Sequence, residues 1–137
     1  MNISTLIDLT DRKFFIAANR AALDFITASN PFAHSDVGSK LIALSKALPD
    51  AVFYSPSFRS YAYVALHDKS NRIFSLATGM RDIHFRLLPL DVPTALSAGA
   101  TRSGIGAEWI SVDAFVPNAD WDSRLHSWCA SASRSFG

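Results

Sequence analysis

The residues best equipped for chemistry lie in one short stretch, Asp82-Ile83-His84-Phe85-Arg86-Leu87. Strand alternation sends Asp82, His84 and Arg86 to one face and Ile83, Phe85 and Leu87 to the other. Each i, i+2 step is roughly 7 Å, so the polar trio shares one small area. There Asp82 can orient His84 as a base, and Arg86 can hold an anion. Glu108, the one glutamate in the chain, is a further acid for the same site. The plain alternative is that the trio lines the wet side of a half-buried sheet. No nucleophile is fixed beside His84 by spacing, so no catalytic residue is assigned.

A second signal is basic and aromatic. From Arg59 to Arg102 six cations (Arg59, Lys69, Arg72, Arg81, Arg86, Arg102) face three acids (Asp68, Asp82, Asp91), a net +3, and the remainder carries −2. If Arg72 and Arg86 share a solvated face, they form a stripe with Tyr61 or Tyr63 between them. Aromatics beside arginine suit stacking on bases or on any flat anionic ligand. They equally suit a protein interface. The candidate binding residues are therefore Tyr61, Tyr63, Arg72, Asp82, His84, Arg86 and Glu108.

Other motifs carry less. The histidines, His34, His67, His84 and His126, form no H-x-x-x-H or H-E-x-x-H pair, and one cysteine, Cys129, allows neither a disulfide nor a cysteine zinc cluster. No metal and no cofactor is implied. Gly104-Ile105-Gly106 is too short for a dinucleotide fingerprint and precedes a strand rather than a helix. It reads as a tight bend before Glu108. Ser103 lacks the flanking G-x-S-x-G of a nucleophile elbow. Cys129, beside Trp128 on a helical stripe, reads as packing.

These residues need elements to hold them. A helix is expected over Asp11–Ala28, with Phe15, Ala18, Ala22 and Phe25 on one stripe and Ser29-Asn30-Pro31 ending it. A second starts at Ser35 or Asp36, with Val37, Leu41, Leu44 and Leu48 on a face. The period then changes to two. Ala51–Tyr54 is a short extra strand, and Phe58–Leu66, Arg72–Ala77 and Asp82–Leu88 form an antiparallel meander. Val92–Ala98 is a short helix with Pro93 in its first turn and Gly99 at its end. Thr101–Gly106 is a loop, Glu108–Phe115 a strand, and a last helix capped by Asp120 or Asp122 aligns Trp121, Leu125, Trp128 and Ala132. The fold class is α+β, a mostly antiparallel sheet of four to five strands with helices on one face, leaving the other face free for binding.

Composition bounds the class. The 137 residues are 49% hydrophobic and 18% charged, which fits one domain over 1–137 and excludes disorder for most of it. No apolar run approaches the roughly 20 residues that span a bilayer, so no membrane partner is expected. A net charge of +1 gives no global signal for nucleic acid. Nine Arg against four Lys, and eleven Asp against one Glu, fit a GC-rich bacterial genome. Met1 to Thr10 has no basic region followed by an apolar core, so the expected location is the cytoplasm.

The second half resembles the bacterial MmcQ/YjbR-like family over roughly residues 58–136. The shared features are the aromatic strand Ser60-Tyr61-Ala62-Tyr63-Val64-Ala65-Leu66, the strand Ile83-His84-Phe85-Arg86-Leu87, the late strand Glu108-Trp109-Ile110-Ser111-Val112 and a closing helix with Trp128. The resemblance implies a compact α+β fold and, by fold analogy, DNA binding. The leading expectation is a non-enzymatic binding module whose open sheet face receives a partner, a second copy of the chain being one. Nucleic-acid binding through the basic stripe is one alternative. A small-ligand protein or enzyme with its site around His84 and Arg86 is the other.

Overall fold

The computed structural model describes residues 12–56 and 62–137. Four α-helices, α1 (Arg20–Ser29), α2 (Ser35–Ser45), α3 (Asp91–Ser97) and α4 (Ala119–Ser133), surround six strands. The strands are β1 (Val52–Tyr54), β2 (Val64–His67), β3 (Ile73–Thr78), β4 (Asp82–Arg86), β5 (Thr101–Arg102) and β6 (Trp109–Asp113). They form one antiparallel sheet in the order β1-β2-β3-β4-β6-β5. The α+β class holds, but the described residues form six strands rather than four to five. The additional one is β5, two residues inside the expected loop. β2 is described only from Val64; the start of the expected Phe58–Leu66 strand, Tyr61 included, lies outside the described residues.

The helix-forming pattern holds for α2, where Val37, Leu41 and Leu44 are buried, and for α4, where Leu125, Trp128 and Ala132 are buried. Asn118 caps α4 instead of Asp120 or Asp122, its side chain accepting the Asp120 N–H at 2.8 Å. Gly99 ends α3 at φ +110°, as its lack of a side chain allows. The first helix differs most. It is broken into two 3₁₀ turns, Arg12–Phe14 and Ala17–Asn19, before α1 begins. The break rotates the stripe: Phe14, Ala22 and Ile26 are buried, whereas Phe15 and Ala18 are exposed.

Two cores result, one on each side of the sheet. On the helical face, α2, α3 and α4 pack over Val64, Leu66, Phe74, Ile83, Phe85, Ile110 and Val112. The opposite face carries Tyr63, Ala65, Ile73, Leu76 and Trp109, and the N-terminal segment covers it with Phe14, Ala22 and Ile26. The expectation of helices on one face is therefore corrected. The reason is apolar pressure on both faces of the central strands: β2 and β3 are buried at every residue. A β-bulge sets their phase. Leu66 pairs with Ser75 and His67 with Ile73, which leaves Phe74 as the extra residue, turned to the helical face.

Among the described residues no helix is long and apolar enough to cross a membrane.

Candidate functional site

The N-terminal segment does not blanket its face completely. An open groove of about 990 Å³ runs between α1 and the loop 104–108, and Arg86 of β4 and Phe136 of the C-terminal tail also line it. Small side chains shape it: Ala17 and Ala18 of the preceding 3₁₀ turn, with Ala21 and Ala28 of α1, line one wall, and Gly104 and Gly106 of the loop line the other. A Cβ placed on Gly106 would meet Trp109 Cδ1 at 3.6 Å and Ala21 Cβ at 3.9 Å, so helix and loop already approach closely there. Two half-buried aromatic rings, Phe25 and Phe136, supply apolar surface, and Trp109, though it touches the lining, is only 4% exposed. The lining charges come as two opposite pairs, Arg20 with Asp24 at 3.4 Å and Arg86 with Glu108 at 2.6 Å.

Alternation along β4 does place Asp82, His84 and Arg86 on one face, opposite Asp113, Ser111 and Trp109 of β6. Their surroundings then separate them. Arg86 reaches the groove, and the C-terminal tail holds it. Its Nη1 donates to the Ser135 carbonyl at 2.7 Å and to Ser135 Oγ at 3.0 Å. Its guanidinium lies 3.9 Å from the centre of the Phe136 ring. Arg72 lies over the same ring at 5.2 Å, donates to the Phe136 carbonyl and pairs with Asp68 at 2.8 Å. The two arginines thus meet on an aromatic ring, but the ring is Phe136 and not Tyr63; Tyr61 lies outside the described residues. Tyr63 is buried under the N-terminal segment and presents no surface to a partner.

His84 lies behind Phe25, with ring centres 5.5 Å apart, and is only 7% exposed. Thr78 Oγ1 meets its Nε2 at 3.0 Å and Ser103 Oγ meets its Nδ1 at 2.9 Å. Burial lowers its pKa from 6.5 to about 4, so the ring is neutral at physiological pH. A base this weak is poorly matched to proton abstraction near pH 7. Ser103 is equally committed, since its Oγ also accepts the Ile105 N–H at 3.1 Å. The Ser103 N–H donates to the Trp109 carbonyl, and the Trp109 N–H to the Gly106 carbonyl. His84 therefore positions the loop that walls the groove. The expected bend at Gly104-Ile105-Gly106 is this turn.

Asp82 sits apart, exposed at the far end of β4. Burial, and next the charge of Asp113 across the strand pair, raise its pKa. Asp113 is raised by burial but lowered more by the hydrogen bonds from Arg81 and the Phe115 N–H, and its carboxyl ends below the usual range. Among the described residues no three His, Cys, Asp or Glu side chains gather closely enough to hold a metal ion.

Of the predicted residues, the structure brings together Arg86, Glu108 and, through Phe136, Arg72. His84 is one layer behind, and Asp82 is elsewhere. Phe25, Ser103, Ser135 and Phe136 complete the arrangement, and spacing gave no signal that they would meet β4. No family model, curated protein or solved structure matches the chain.

Proposed function

We propose that the protein is a non-enzymatic binding module that takes a small, flat, largely apolar ligand in the groove between α1 and the loop 104–108. The observation that carries this reading is the groove itself. Its volume matches small-molecule sites, and it combines aromatic walls with a few oriented polar groups. Small residues on both walls leave room for a planar ring beside Phe25. His84, neutral and doubly hydrogen-bonded, supports a positioning role over acid–base catalysis.

The nucleic-acid alternative suggested by the MmcQ/YjbR-like resemblance finds less support. Within the basic region Arg72, Arg81 and Arg86 each pair with a carboxylate, and so does Lys69 with Asp50. Such pairing lowers the net positive charge that the stripe offers to a run of phosphates. A second copy of the chain would meet α1 over most of this face, where an open sheet was expected.

The test is amide-resolved NMR titration of the full chain with 2-naphthoate. Shift changes should gather at residues 17–28 and 104–109, and Ala21→Trp, at an exposed helical position, should abolish them. Changes centred elsewhere, or no binding by naphthyl compounds of any charge, would overturn the reading.

A further inference from the structure

The chemistry around Arg86 in the groove points to the class of ligand, an inference that rests on the binding reading above. Arg86 is fixed by groups that do not depend on Glu108. Ser135 takes its Nη1 through two oxygens, and the Phe136 ring lies against its face. A second nitrogen, Nη2, holds Glu108 Oε2 at 2.6 Å. The two partners are held unequally. The Arg86 side chain is 19% exposed, while that of Glu108 is 42% exposed and precedes β6 at the groove's edge. A guanidinium oriented by packing and hydrogen bonds is a ready carboxylate receptor. A half-exposed carboxylate can return to water at little cost, because solvent-accessible ion pairs are weak.

We infer that the groove takes planar aromatic carboxylates, and that Glu108 occupies the position of the ligand's carboxylate until the ligand displaces it. The aromatic part lies along Phe25 and the small side chains of α1, and the carboxylate accepts from Arg86 Nη2. The displaced Glu108 side chain swings to solvent. In this arrangement Glu108 keeps Arg86 satisfied when no ligand is bound, and it sets the affinity, because every ligand competes with it. A cationic ligand would instead have to take Glu108 from Arg86 and leave a largely buried guanidinium unpaired, which is costly.

The experiment is calorimetric titration of the full chain with three probes of one shape: 2-naphthoate, 2-naphthylmethanol and 2-naphthylmethylamine. Wild-type protein should bind the carboxylate at least ten-fold more tightly than the alcohol, and the amine most weakly. Glu108→Gln, an exposed isosteric change, should tighten naphthoate by five-fold or more and leave the alcohol within two-fold. Equal binding of carboxylate and alcohol, or naphthoate affinity unchanged or weakened in Glu108→Gln, would overturn the inference while leaving the groove as a binding site. Preference for the amine would overturn it in favour of Glu108 as the recognising group. Failure of all three probes would remove the groove reading itself.

Discussion

The side-chain oxygen of Asn19 accepts the backbone N–H of Ile73 at 2.7 Å, across a fully buried contact between the N-terminal segment and the start of β3. The same amide donates to the Phe14 carbonyl at 2.9 Å and to the Asn71 carbonyl at 2.8 Å. One side chain thus docks the segment that covers the second sheet face, fixing α1 and with it one wall of the groove. Asn19→Ala leaves the Ile73 N–H and two carbonyls without this partner, in a site closed to water. Urea denaturation should show a loss of about 2–4 kcal/mol. Near-wild-type stability would mean that Phe14 and Ile26 dock the segment unaided.

Acid should weaken the fold through His84. Its pKa is about 4 in the folded protein against an ordinary value of 6.5, so the unfolded chain binds a proton that the folded one refuses. This contribution to stability is complete above about pH 6.5 and is lost as pH falls to about 4. The span corresponds to about 3 kcal/mol at roughly 1.4 kcal/mol per pKa unit. Stability curves at pH 7.5 and pH 4.5 should differ less in His84→Gln than in wild type. An imidazole resonance for His84 that titrates near 6.5 in the folded protein would contradict the burial argument.

Gly99→Ala should be strongly destabilising for a change of one methyl group. Residue 99 has φ +110°, a region that L side chains rarely enter. The added Cβ would also sit 3.0 Å from Trp121 Cζ3. That ring cannot easily give way, since its Nε1 donates to the Asp113 carbonyl at 2.7 Å and its edge packs on Trp128. A loss of about 2–3 kcal/mol is expected by thermal or urea unfolding. Gly104→Ala, with only an ordinary 3.8 Å contact to Phe25, should cost far less.

The thiol of Cys129 is buried on α4, and burial pushes its pKa up to about 12. A neutral, enclosed thiol is a poor nucleophile. Reaction with a disulfide reagent at pH 8 should proceed only as fast as the protein opens, and denaturant should release one equivalent at once. Rapid labelling of the folded protein would place Cys129 outside the core.

Much of the architecture was legible because it depends on local periodicity. The stripe Val37-Leu41-Leu44 and the alternation of Ile83 and Phe85 against His84 and Arg86 each report a face, and the structure uses those faces. The N-terminal region was misread because two phenylalanines stand side by side at 14 and 15. Helical spacing favours Phe15, but the Asn19 hydrogen bonds and a pocket between Tyr54 and His67 select Phe14. Such a choice is made by partners far away in the chain. The same holds for the site. The arginine and the glutamate were visible as residue types, whereas the tail that aims Arg86 and the helix that roofs the groove come from opposite ends of the sequence. Burial of Tyr63 was hidden for a related reason, since an aromatic strand looks alike whether its face is bare or covered.

The unpaired residue at Phe74 has an implication for how this chain tolerates length change. Strand β3 crosses between the two cores, and one surplus position lets it serve both without a slip in parity. Excising that single residue would restore strict alternation and leave Ile73 opposite His67 on the Asn19 side, so the cost is the loss of the Phe74 ring from the helical core. A one-residue deletion at Leu76, inside the regular alternation, should therefore be far more damaging than the loss of Phe74, because one part of the strand must then change face. It would set two halves of one strand competing for opposite sides of the same sheet.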